Sequence, residues 1–202
     1  MAAMTFEGSE NTYLQELIVC LNEMEADMGH NKQLSYNEIL DALVNMFMDL
    51  PLQGRKVFFI GNGGSAGISM HMTTDFLKNG RLQTHSMHDP ATLTCLANDF
   101  GYEQVFSKQL EMAAKPGDVL VAISSSGRSE NILRAVRLAK DKKCRTVTLS
   151  GFAPDNPLRS MGDYNIYVKS HGYGIVESLH QLFLQHVVDE VMKRYIEQER
   201  GQ

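Results

Sequence analysis

The chain is short of positive charge. Its 202 residues hold 19 lysines and arginines against 24 aspartates and glutamates, for a formal net charge of −5. It lacks the concentrated basic surface that binding along a phosphate backbone requires, and nucleic acid is excluded as a direct ligand. It also lacks any apolar run near the ~20 residues that cross a bilayer. The opening MAAMTFEGSE has neither a basic n-region nor an apolar h-region. No membrane partner is therefore expected, and the protein reads as cytoplasmic. Cysteine is scarce: Cys20, Cys95 and Cys144 are odd in number, widely spaced and free of any CxxC. That excludes a disulfide frame or a zinc knuckle and leaves reduced, mostly packed thiols. Nucleotide-binding fingerprints are missing too, because neither GxGxxG nor Gly-Lys-Ser/Thr occurs at the glycine-rich turn.

What is present is enough apolar residue, 43%, for one sizeable core. We read residues 1–202 as a single domain, with N-terminal helices over 1–52 and an α/β core and C-terminal helix over 53–202. Leu14, Leu17, Leu21, Met24 and Met28 recur at spacings of three and four, which predicts one apolar stripe on a first helix. A second helix starts at Ser35, where Glu38 completes a capping box, and runs to about Asp49 before Pro51. Short β-rich runs then follow at Lys56–Ile60, Val119–Ile123, Thr146–Leu149 and Asn165–Val168, with a weaker one at Gln83–Met87. They alternate with helices near Ser65–Lys78, Tyr102–Ala114, Ser129–Lys140 and Val176–Gln198. This alternation predicts a three-layer α/β fold with a five-stranded parallel sheet. The broad Met-rich faces of the N-terminal pair and the last helix point to an oligomer.

Two loops carry the chemistry. In FFIGNGGSAGISMH a strand ends at Ile60 and Gly61-Asn62-Gly63-Gly64-Ser65 turns into a helix. Glycines there permit close approach of a ligand, and free amides at the helix start attract an anion or a sugar hydroxyl. In VLVAISSSGRSEN a strand runs into Ser124, Ser125, Ser126, Gly127, Arg128 and Ser129. Hydroxyls and helix-start amides can replace the water around a phosphate dianion, and Ser129 can also cap the helix. Both loops follow strands, so both lie at the carboxyl edge of the sheet, where a crevice opens if the strand order reverses.

At these residues the chain resembles the sugar isomerase (SIS) domain family and, within it, the phosphoheptose isomerases. The resemblance is carried by GNGGSA at 61–66, NDFGYEQVFSKQL at 98–110, PGDVLVAISSSGRSENILRA at 116–135 and the histidine-bearing last helix. It implies a flavodoxin-like domain, a homotetramer, and interconversion of sedoheptulose 7-phosphate with D-glycero-D-manno-heptose 7-phosphate. It also implies that the serine loop holds the phosphate through Ser124, Ser126 and Ser129, with Ser125 a further candidate contact. Asn62, Gly63, Ser65 and Asp99 would then contact the sugar chain.

Aldose–ketose exchange needs a base to move a proton between neighbouring carbons and an acid or cation to polarise the carbonyl oxygen. His71 and Asp75 are four apart on the helix after GNGGS and share one face. The resemblance makes Asp75 the base, one methylene shorter than the family's glutamate. On the last helix, at ~100° per residue, Glu177, His180, Gln181 and Leu184 lie on one side. In ungapped register with the family His180 matches a histidine and becomes the candidate acid. Glu177, a candidate substrate contact, replaces a glutamine, and Gln185 replaces a histidine. No cofactor is required, but His71, Asp75, Glu177 and Gln185 form a candidate zinc set. Asn79 stands where the family has an arginine, with Lys78 and Arg81 nearby, and this leaves open an isomerase of a different sugar phosphate. A non-catalytic SIS-domain sensor, or a regulator binding a protein such as a replication initiator, would keep the same loops.

Overall fold

The computed structural model describes residues 9–29 and 32–201; most of the opening segment read above for an export leader lies outside them. The chain runs α1 (Ser9–Asn22), β1 (Glu25–Met28), β2 (Lys32–Leu34), α2 (Tyr36–Asp49), β3 (Lys56–Gly61), α3 (Gly64–Lys78) and β4 (Gln83–Ser86). It continues through α4 (Pro90–Phe100), α5 (Val105–Ala113), β5 (Val119–Ser124), α6 (Glu130–Asp141), β6 (Arg145–Ser150), β7 (Tyr164–Tyr167) and α7 (Tyr173–Arg200).

The sheet has seven strands in the order β2-β1-β7-β6-β5-β3-β4. Five of them, β3 to β7, are parallel, as the alternating pattern predicts. The other two correct the sequence reading. The apolar stripe was expected to continue along one helix through Met24 to Met28, but α1 stops at Asn22. Residues 25–28 instead pair antiparallel with β7 on one side and β2 on the other. The open edge of β7 offers unpaired backbone groups whose satisfaction outweighs the local helical spacing, and Gly29, at φ 61, begins the turn into β2.

Both faces of the sheet are covered, so all six residues of β5 are buried. Val57, Phe59, Val121 and Leu149 pack under Phe47 of α2, Phe76 of α3 and Phe183 of α7. On the other face Phe58, Ile60, Leu120 and Ala122 meet Phe106 and Leu110 of α5 and Ile132 and Val136 of α6. Helix α1 joins through a smaller cluster, where Cys20 lies with Val168, Ile175, Val176 and Leu179. The capping box of α2 is formed, with Ser35 and Glu38 each bonding the other's backbone amide. Among the described residues no helix is long and apolar enough to cross a membrane. The cysteines are free, with Cys20 and Cys144 buried and Cys95 exposed.

One topological fact positions the site. After β3 the chain steps outward to β4 and then returns to β5 on the opposite side of β3. The strand order reverses between β3 and β5, and the loops leaving these two strands flank the opening that results.

Candidate active site

The first loop begins where β3 ends at Gly61 and turns through Asn62 and Gly63 into α3. Gly63, the residue before the helix, has φ 55 and ψ −122, a backbone conformation in which a side chain is strained. The loop rests on His88. Its Nε2 lies 2.9 Å from the carbonyl of Gly61 and its Nδ1 2.8 Å from Ser86 Oγ. The first contact requires Nε2–H as donor, so Nδ1 accepts from the serine hydroxyl. Burial pushes the His88 pKa down, which favours the neutral ring this pattern needs.

The second loop leaves β5 at Ser124. Ser129 precedes α6, but its side chain makes no capping bond, contrary to expectation. Its Oγ lies 3.5 Å from Ser124 Oγ instead. The first-turn amides of α6 therefore remain without a side-chain cap from Ser129. The Ser125 hydroxyl is buried and has no partner within the described residues.

The loops enclose a crevice of about 350 Å³, within the range of small-molecule sites. Ser124, Ser125, Ser126 and Ser129 line one part of it. Asn62, Gly63, Gly64 and Ser65 line another, and Tyr173 and Glu177 of α7 complete it.

An amide pair ties the two loops together. The backbone N–H of Ile132 donates to Asn131 Oδ1 at 2.9 Å, which fixes the orientation of that buried amide. Asn131 Nδ2 must then donate to Asn62 Oδ1, at 3.0 Å, and Asn62 Nδ2 donates back to Asn131 Oδ1 at 2.9 Å. The Tyr102 hydroxyl adds a second donor to Asn62 Oδ1 at 2.9 Å. The oxygen of Asn62 is thus saturated, and its second N–H is left for a ligand. At this position the crevice offers a donor and not an acceptor.

The SIS domain profile matches residues 22–151. A phosphoheptose isomerase from Akkermansia muciniphila is 34% identical over 163 residues, which is 78% of this chain and 85% of that protein. One from Fusobacterium nucleatum is 35% identical over 162 residues, 78% of this chain and 80% of the relative. The solved structure of a phosphoheptose isomerase from Francisella tularensis superposes with a TM-score of 0.77 at 27% identity, covering 91% of this chain and 96% of that one. The chain belongs to the SIS domain family.

Within this SIS domain the remaining candidate residues lie apart from the crevice. His71 Nε2 sits 3.1 Å from Asp75 Oδ2, forming the i,i+4 pair the spacing predicts. His71 borders a separate groove with Gln185 and His186. Gln185 donates to Asp189 at 3.0 Å. Asp99 is exposed on α4, near Cys95 and Asn98. His180 does not line the crevice. It is wholly buried, its Nε2–H donates to the Ser150 carbonyl at 3.1 Å, and its Nδ1 has no partner within the described residues. Burial pushes its pKa down to about 4, so the ring is neutral near pH 7.

The four candidate zinc ligands do not converge. Among the described residues no three His, Cys, Asp or Glu side chains are grouped to hold a metal. Glu177 faces the crevice while His71 and Gln185 border the other groove. The residues of one chain therefore do not fit zinc.

The sequence reading overlooked Tyr173, Asn131, Tyr102 and His88. Tyr173 fell outside a helix expected to start at Val176, whereas α7 begins at Tyr173. Asn131 and Tyr102 lie within the family-like segments, but only the fold brings them to Asn62. The Arg81 side chain pairs with Glu199 near the end of α7.

Proposed function

We propose that this protein is an aldose–ketose isomerase of a phosphorylated sugar, interconverting sedoheptulose 7-phosphate and D-glycero-D-manno-heptose 7-phosphate. The observation that carries the reading is the crevice at the β3/β5 reversal, with a serine loop at a helix start and a fixed amide donor in the same space. Ser124, Ser125, Ser126 and Ser129, with the first amides of α6, take the phosphate. The free N–H of Asn62 polarises the substrate carbonyl, and Gly63 and Ser65 meet the sugar chain. The 34% identity to a phosphoheptose isomerase supports the choice of substrate.

A homotetramer fits the apolar side chains on the outer helices, among them Met70 and Leu77 of α3, Ile18 of α1 and Leu182 of α7. Treating residues 1–202 as one domain is supported by β1 and β2, which extend the sheet of the core. Three free cysteines agree with a cytoplasmic setting.

One observation favours a second reading. Neither Asp75 nor His180, the acid–base pair suggested by the resemblance, lines the crevice, and a phosphosugar sensor would need neither. Turnover with a panel of five-, six- and seven-carbon sugar phosphates separates the readings. Isomerisation of the seven-carbon ketose is expected; turnover of a shorter sugar alone would shift the substrate, and binding without turnover would favour the sensor.

A further inference from the structure

Aldose–ketose exchange needs a group that can hold a carbon-bound proton within reach of two adjacent carbons. The residues lining the crevice include one carboxylate, that of Glu177. The carboxylate expected as base, Asp75, does not line the crevice and is engaged with His71 at 3.1 Å. Among the described residues the Glu177 carboxylate takes no hydrogen bond or ion pair, so its lone pairs are not committed.

Its placement is built into the sequence. A methyl group at Gly64 would overlap both carboxylate oxygens of Glu177, with Oε1 only 2.6 Å from that methyl carbon. Only glycine allows the carboxylate to lie against the first turn of α3, whose positive end attracts it. The crevice thus has two helix starts of different character. That of α3 is already faced by the protein's own carboxylate, whereas that of α6 is lined by serines and lacks a side-chain cap. A phosphate dianion is repelled from the first and received by the second. In a 7-phosphate sugar C1 and C2 lie at the far end of the chain from the phosphate, toward Glu177 and Asn62.

From this arrangement we infer that Glu177 is the general base of the isomerisation, an assignment that rests on the isomerase reading above. The carboxylate takes the proton from C1 of the ketose. The C–H electron pair becomes the C1=C2 double bond, and the C2 carbonyl pair moves onto O2, where the Asn62 N–H donates to the developing charge. The carboxylic acid then returns the proton to C2 as the C1 carbonyl forms. Overall one proton passes from C1 to C2 and one from O1 to O2, so ketose and aldose are isomers and no co-reactant is consumed.

The test compares wild type, Glu177→Gln and Glu177→Asp. Glu177 is only partly buried, and glutamine has the same shape, so the first variant keeps the fold. Steady-state turnover of sedoheptulose 7-phosphate is measured together with calorimetric binding of the same sugar. The assignment predicts that Glu177→Gln loses about 10²–10⁴-fold in kcat while binding changes by only a few-fold. Glu177→Asp retains more activity than Glu177→Gln because the base survives at a displaced position. A Gln variant within tenfold of an active wild type overturns this assignment and leaves the isomerase reading standing. A wild type that binds the sugar without turning it over overturns both.

Discussion

Replacing Asn131 by aspartate alters one heavy atom behind the crevice wall and unseats the donor in it. Asn131 is 3% exposed and its amide oxygen holds the Ile132 N–H, which the aspartate retains. What disappears is the donor to Asn62 Oδ1 at 3.0 Å. Two oxygens would then face each other, and turning the Asn62 amide over gives no relief, because its nitrogen already meets the retained oxygen of residue 131 at 2.9 Å. The repulsion drives the Asn62 amide off its partner and carries its free N–H out of position. The lost and unpaired hydrogen bonds cost about 1–3 kcal/mol in stability, or roughly 2–4 °C in Tm per kcal/mol for a chain of this size. The larger effect is on chemistry: removing a donor from a developing oxyanion costs about 10²–10³ in kcat. Turnover of sedoheptulose 7-phosphate alongside thermal unfolding separates the two. A folded Asn131→Asp variant with kcat within threefold of wild type would refute the reasoning that Asn62 acts as a donor.

Ser124→Ala and Ser129→Ala each remove a hydroxyl at the proposed phosphate end. Hydrogen bonds to a charged group are worth about 1.5–3 kcal/mol, so KM should rise roughly 10- to 100-fold with kcat nearly unchanged; steady-state kinetics would count against this site if kcat fell instead. Gly64→Ala places a methyl where the Glu177 carboxylate sits, and kcat should drop while the far-UV CD spectrum stays that of wild type; full activity would mean the carboxylate position is unimportant. His180 predicts an acid-side loss of stability. Its folded pKa of about 4 lies below the ordinary 6.5, so the unfolded chain binds the extra proton between these values. This contribution, about 3 kcal/mol, is fully present above pH 6.5 and lost as pH falls through 4. His180→Asn should flatten that part of the Tm-versus-pH curve, and an unchanged slope would contradict the burial argument.

The parallel core was legible because its signals are local and redundant. β5 reads as an unbroken apolar run since both its faces are covered, and the capping box at Ser35 marks the start of α2 from four residues alone. The loops that line the crevice were legible for the same reason, with glycines and serines concentrated directly after strands. The β1–β2 hairpin was not. Met24 and Met28 continue the spacing of α1, and what decides their fate is the open edge of β7, more than a hundred residues away in sequence. Helix α4 did carry a signal, Asp89 capping Thr92 with Pro90 at the first position, yet its weak apolar pattern concealed it. The acid–base residues were misplaced in space for a related reason. Helical spacing put Glu177 and His180 on one side, but their depth differs: one reaches the crevice and the other is wholly enclosed beside Ser150. Periodicity reports the face of a helix and is silent on what lies opposite it.

The most direct measurement follows sedoheptulose 7-phosphate by NMR in D₂O with purified wild-type protein. An isomerase working through an enediol must form the aldose and deliver deuterium to the carbon that receives the proton, whenever the base exchanges with solvent. Appearance of the aldose, with or without label, is the predicted result. Saturable binding of the sugar with neither aldose nor deuterium incorporation would contradict the account.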